Sequence, residues 1–380
     1  MTRHLPPPDI GTVPGRSPEA AFDAVRACAK RSGGFYYDLP DHLVVYLPQG
    51  ETPRAQQRLV ITYDNLASRR ELTRRMPWGH SFLEKEGYDI LGVLAKRNIW
   101  FRDPLLFERL EALSESGFFG EFAAVSAFGS SMGGYGALAF ASLYPDATVL
   151  AFAPQSSLAR KIVPFERRYP YARKQGNWSG AYRDAAQGAA HAARSYILYD
   201  PYEREDAAHA ARLAGPRAQL LRLPNHSHKL PPALKQMGRL KDVVRAGLTG
   251  TLDAETFYQM MRDRRTSVAY LADLLEAARA RGHYELGLRA ARAALKIEDN
   301  WKLRKGFKAL RIAAQAERAA ARKARQASQL QAAPETADLA VTGAVGQQKG
   351  GHGPLVADIR TRTLTGSSRS QGRSARGSGR

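Results

Sequence analysis

The sequence predicts an α/β fold: a mostly parallel sheet sandwiched by helices, then a small all-α region and a basic tail read as disordered. Three observations carry this. Between residues 35 and 250, short apolar runs of strand length alternate with helical stretches, the pattern of a sheet covered on both faces. One run breaks at Gly129-Ser130-Ser131-Met132-Gly133 directly into a helix of small residues. After Gly250 the strand signal stops and Ala, Arg, Leu and Glu dominate. With 44 % hydrophobic residues, the 380-residue chain can bury one large core and a small accessory domain.

Residues 1–34 read as an N-terminal extension, in which Pro6-Pro7-Pro8 interrupts any signal-peptide pattern. His42 to Leu47 alternates and reads as a leading strand, ended by Pro48-Gln49-Gly50. Arg58 to Tyr63 is a second strand, running into Asp64-Asn65-Leu66. Asp89 to Leu94 is a third, followed by Asn98-Ile99-Trp100-Phe101; the two aromatics line a pocket or, the preferred reading, pack in the core. Leu105 to Leu113 is an amphipathic crossover helix leading to the strand that begins near Phe122. Thr148 to Ala153 is a strand ended by Pro154-Gln155-Ser156-Ser157. Two more follow, Ser195 to Tyr199 ending at Asp200-Pro201, and Ala218 to Leu223 leading to Pro224-Asn225-His226-Ser227-His228.

The break at 129–133 is the chemical signal. A strand that turns sharply into a helix forces its central residue into a strained conformation and leaves no room for a Cβ two positions to either side. Only Ser131 has glycine at both of those positions, so Ser131 and not Ser130 is the expected nucleophile. A serine needs a base to take its proton and a third group to orient that base.

On this elbow and the Asp and His loops that follow, residues 35–248 resemble the α/β-hydrolase superfamily. The resemblance implies Ser131 as nucleophile, Asp200 as acid and His228 as base. Asp206 competes with Asp200, which is preferred because it stands at the strand end; Asp206 would otherwise cap a helix over Ala207 to Leu213. His226 competes with His228, preferred because it lies later in the loop; His226 would otherwise hydrogen-bond its own turn. The oxyanion hole would use the backbone N–H of Met132 and a second main-chain N–H from the loop after Arg58–Tyr63, that of Asn65 or Leu66, with Asn65 the candidate. The His-Gly-Gly-Gly run of many esterases is absent there.

The resemblance also suggests a lid at about 159–190. Between Arg160 and Lys174 six basic residues stand against one acid, Glu166. That charge reads either as a cap attracting an acidic substrate or carrier, or, the preferred reading, as a solvated loop. The implied reaction is hydrolysis of a carboxylic ester or related acyl bond through an acyl-enzyme. Acyl transfer on the same triad, and a catalytically weak scaffold, are the alternatives. The substrate would be a small acyl compound, with no cofactor and no metal, since no histidine cluster has ligand spacing.

Residues 251–330 should be helical. Arg281 to Asn300 resembles half of a tetratricopeptide repeat, implying either a docked hairpin or a surface for a protein partner. Residues 331–380 should be disordered. From Trp301 onward there are 16 Lys and Arg against 4 Asp and Glu, a net +12 of the chain's +21. Without interleaved aromatics or a nucleic-acid fold, this reads as a solubilising tail and not a specific nucleic-acid site. The lone Cys28 excludes an internal disulfide, and no apolar run is long enough to span a bilayer; a cytoplasmic location is expected.

Overall fold

The apolar runs become the strands of one sheet. The computed structural model describes residues 18–68, 71 and 73–331. The strands are β1 (Phe35–Asp38), β2 (His42–Leu47), β3 (Arg58–Tyr63), β4 (Asp89–Ala95), β5 (Ala124–Ser130), β6 (Thr148–Phe152), β7 (Arg194–Tyr199) and β8 (Ala218–Arg222), in the spatial order β1-β2-β4-β3-β5-β6-β7-β8. From β4 to β8 every pairing is parallel; β1–β2 and β2–β4 are antiparallel. This is an α/β-hydrolase-like sheet, and β5, which leads into the elbow, lies at its centre. β1 escapes the sequence reading because four residues of an edge strand, FYYD, show no periodicity to detect. β2 was expected to alternate between faces, but all six residues are buried, because the sheet is covered on both sides.

The helices are α1 (Asp23–Arg31), α2 (His80–Lys85), α3 (Pro104–Glu115), α4 (Met132–Ala139), α5 (Pro170–Gln175), α6 (Ala185–Ala189), α7 (Arg204–Arg212), α8 (Leu230–Gln236) and α9 (Leu240–Leu248), followed by α10 (Ala254–Met260), α11 (Val268–Ala280), α12 (Tyr284–Ile297) and α13 (Trp301–Gln331). Alternate residues of β5 serve opposite cores. Ala127 joins Tyr63, Phe101, Leu106 and Leu138 on one face, and Phe128 joins Val45, Leu150, Leu198 and Val243 on the other. Burying such a side chain contributes about 1.5–3 kcal/mol, so these two layers hold the sheet that presents the loops.

The lid region departs from its reading as a non-core insertion. Leu158, Val163, Ala172, Ala185 and Ala189 are buried, and α6 lies so close to α4 that a Cβ on Gly188 would come within 2.3 Å of the Leu138 carbonyl. α11, α12 and α13 share a third core built on Leu275, Leu288, Ala291, Leu303 and Leu310. Residues through Lys323 group as one compact unit, and the chain from Ala324 onward groups separately. The expected tail, 331–380, lies outside the described residues except for Gln331, as does the start of the N-terminal extension. Among the described residues no helix is long and apolar enough to cross a membrane.

Candidate active site

Ser131 stands between β5 and α4 with φ 55° and ψ −117°, a conformation that costs a non-glycine residue on the order of 1–3 kcal/mol. The flanking glycines make the turn possible: a Cβ on Gly129 would lie 2.2 Å from the Gly133 carbonyl carbon, and one on Gly133 would lie 2.4 Å from the Tyr63 carbonyl oxygen. Its backbone N–H is held by the Phe152 carbonyl on β6. The strain therefore rests on a pinned turn that pushes the hydroxyl out over the sheet.

Across the site, the Ser131 hydroxyl donates to His228 Nε2 at 2.9 Å, and His228 Nδ1 donates to Asp206 Oδ2 at 2.7 Å. Three side chains from separate segments thus form one proton-transfer line. Asp206 is fully buried, while the His228 side chain keeps 28 % of its exposure, so the line opens to solvent at the histidine.

The placement of the two aspartates corrects the sequence reading. Asp200, expected beside His228, instead faces backbone. Its Oδ2 accepts from the His226 and Ser227 N–H groups at 2.7 and 2.8 Å, and its Oδ1 accepts from Tyr202 N–H. It holds a turn in which Asn225 and Ser227 adopt positive φ, 63° and 56°. Asp206 does not cap α7 either; it sits in the first turn of that helix, whose N-cap is Glu203. The helix begins three residues earlier than expected, so Asp206 turns inward. His226 hydrogen-bonds its own turn through Nδ1 to the Pro224 carbonyl at 2.9 Å, and its ring lies 4.9 Å from that of Tyr270 on α11.

Asp206 is embedded in charge. Arg168 donates to its other oxygen, Oδ1, at 2.7 Å and also pairs with Glu166 at 2.7 Å. Glu166 in turn meets His209 Nε2 at 3.0 Å, and the Ser156 N–H donates to His209 Nδ1. Burial works to raise Asp206, but His228 and Arg168 outweigh it and hold the carboxyl below its usual value. Burial likewise opposes ionisation of Glu166, yet His209 and Arg168 bring it down to about 2. Burial lowers His209 despite Glu166.

Sequence reasoning missed two groups beside Ser131. Gln155 Oε1 lies 3.3 Å from the Ser131 hydroxyl and accepts from Trp100 Nε1 at 3.2 Å. The Tyr169 ring packs 4.6 Å from that of Trp100, which sets its phenol on the Ser131 side of the site. Burial pushes this phenol up to about 12, against the opposing pull of Arg168, so at neutral pH it is a hydrogen-bond donor. Trp100, expected in the core, is indeed buried, but it packs against both of these groups beside the serine. Its φ of 54° marks a strained loop after β4, which no sequence pattern announces.

Of the expected oxyanion donors, Met132 opens α4, where the first N–H groups of a helix have no intrahelical partner. The Asn65 side-chain oxygen accepts from Ala67 and Ser68 N–H groups. Its backbone N–H is the donor the sequence reading assigned to the role. The loop itself is close, since a Cβ on Gly133 would lie 2.9 Å from the Asp64 carbonyl oxygen. Among the described residues no group of three or more His, Cys, Asp or Glu could hold a metal.

No family model matches the chain, and no curated protein matches it. Solved structures do resemble it. The capsule O-acetyltransferase of Neisseria meningitidis serogroup A is 14 % identical, over 50 % of this chain and 88 % of that one, with a TM-score of 0.35. An esterase of Thermogutta terrifontis is 14 % identical, over 52 % and 84 %, with a TM-score of 0.34. The acetyl ester-xyloside bifunctional hydrolase of Caldicellulosiruptor lactoaceticus is 12 % identical, over 57 % and 92 %, with a TM-score of 0.40. These likenesses are too loose to carry function, which rests on the chain's own geometry.

Proposed function

We propose that this chain is a serine hydrolase of α/β-hydrolase type that cleaves a carboxylic ester or related acyl bond. The observation behind the reading is the unbroken line Ser131–His228–Asp206 on a strained elbow. His228 Nε2 takes the hydroxyl proton as Ser131 Oγ attacks the acyl carbon, and Asp206 stabilises the imidazolium that forms. The Met132 N–H receives the developing oxyanion, with the Asn65 N–H as second donor and the Tyr169 phenol beside the same hydroxyl. Collapse of the tetrahedral species expels the alcohol, protonated by His228. Water, deprotonated by the same imidazole, then releases the acid and restores Ser131.

Helices α11 and α12 are proposed as a single tetratricopeptide-like hairpin that supports the His228 loop. Reaction with a fluorophosphonate probe, followed by peptide mapping, tests the hydrolase reading. Modification of Ser131 in the wild type and its loss in His228→Ala are expected; a folded protein that stays unlabelled would sink it.

A further inference from the structure

The lid holds a second concave surface beside the triad. A solvent-open cavity of about 400 Å³ is lined by Arg160, Pro164, Arg167, Pro170, Arg173 and Lys174, four cations and two rigid walls with no carboxylate among them. This is the size range of small-molecule sites. Glu166, the one acid in this stretch, is fully buried and committed to Arg168 and His209. Arg173 is fixed in place by the Leu158 carbonyl at 3.0 Å and by the Glu166 carbonyl.

Arg160, Arg167 and Lys174 make no hydrogen bond or ion pair that the structure shows among the described residues. Elsewhere Arg26, Arg54, Arg239 and Arg245 each find a carboxylate. Cations gathered on a concave face without a counter-charge repel one another, and their field focuses on an incoming anion. A lone carboxylate would need only one of them. A phosphate or diphosphate, with two or more charges and several acceptor oxygens, suits guanidinium forks supplemented by an ammonium.

Position ties this cavity to the chemistry. Tyr169 packs 4.6 Å from Trp100, whose indole holds the Gln155 oxygen beside the Ser131 hydroxyl, while Arg167 and Pro170 on either side of Tyr169 line the cavity. A molecule held there by its anionic end can present an acyl group to the serine. Resting on the serine-hydrolase reading, we propose that the lid cavity binds a phosphate-bearing portion of the acyl substrate.

Two measurements test this. Calorimetric titration with inorganic pyrophosphate reads the site without turnover. Wild type and Ser131→Ala should bind alike, and the triple variant Arg160→Ala/Arg167→Ala/Lys174→Ala, checked for an unchanged circular dichroism spectrum, should bind at least tenfold more weakly. Absence of binding to the folded wild type, or equal binding by the triple variant, overturns the site whether or not any ester is cleaved. Pyrophosphate binding by a wild type that cleaves no ester would uphold the anion site and remove the hydrolase reading instead. The second measurement compares a short fluorogenic ester with its counterpart carrying a terminal phosphate on the alcohol. The kcat/KM ratio should favour the phosphorylated ester at least tenfold in wild type and collapse toward unity in the triple variant. An active wild type without that preference overturns the assignment to substrate.

Discussion

Asp206 lies in a buried ion cluster with Arg168, Glu166 and His209, whereas Asp200 faces the N–H groups of the 226–227 turn. The two substitutions to asparagine should therefore fail differently. Asp206→Asn offers the wrong partner to His228 Nδ1 and removes a buried partner of Arg168, so kcat on a small ester should fall by about 10⁴-fold and melting temperature should drop as well. Asp200→Asn replaces one acceptor of two N–H groups by an amide, so melting temperature should drop and kcat fall far less. The reverse pattern in steady-state kinetics would return the acid role to Asp200. Arg168 is a positioning residue for the same carboxylate. Arg168→Gln frees the Asp206 carboxylate to turn away from His228, so kcat on a small ester should fall with KM little changed; an unaltered kcat with a lowered melting temperature would mean that Arg168 is only structural. The buried cluster also sets acid stability. His209, held below its ordinary 6.5, stays neutral in the folded state, so its contribution is complete above that value and is lost as pH falls from there. Glu166, ionised down to about 2, adds a contribution complete above its ordinary 4.5 and lost below it. Melting temperature should fall in two stages on acidification, and Glu166→Gln should remove the lower stage.

Elements differ in how much of themselves they write into the sequence. The elbow between β5 and α4 was legible because its constraint is local: two glycines must stand two residues either side of the serine, and the clashes at Gly129 and Gly133 show why. β3 was legible to the residue, since six mostly apolar positions between polar ends leave little choice. The start of α7 was not. Whether Asp206 caps that helix or enters its first turn depends on where the chain leaves β7, and that choice moved the carboxylate into reach of His228. Arg168, Tyr169 and Gln155 were illegible for a related reason. Each is a common residue type in an irregular segment, and each acquires its role only when the chain after β6 folds back over the elbow. Tyr169 gives a test at this scale. Tyr169→Phe keeps the ring against Trp100 and removes one donor beside Ser131, so kcat should fall by about 10²-fold with KM little changed. A variant with wild-type kcat would restrict Tyr169 to packing.

At the scale of the molecule, the loop that carries His228 is braced from two sides. Asp200 ties residues 226 and 227 to the end of β7, and the helical region supports the outer side through Tyr270. Arg281, at the end of α11, stacks over Tyr202 at 4.0 Å and reaches Asn225 at 3.3 Å. The change of composition at Gly250 left a docked hairpin and a partner surface both open, because the side chains that matter for docking, Tyr270 and Arg281, are isolated residues with no pattern to betray them. Two truncations separate the functions of this end of the chain. Removing everything after Gln331 leaves every described residue that touches the loop in place, and ester turnover should be unchanged. Ending the chain at Thr266 strips the ring from His226 and the guanidinium from Asn225. The loop, already carrying two residues at positive φ, then loses an outer wall, and His228 should spend less time in line with Ser131. The shorter chain should therefore show a lower kcat, with its melting temperature reduced and fluorophosphonate labelling of Ser131 slowed in proportion. If labelling proceeds at the wild-type rate in the Thr266 truncation, Asp200 alone suffices to hold the base, and the helices serve another purpose.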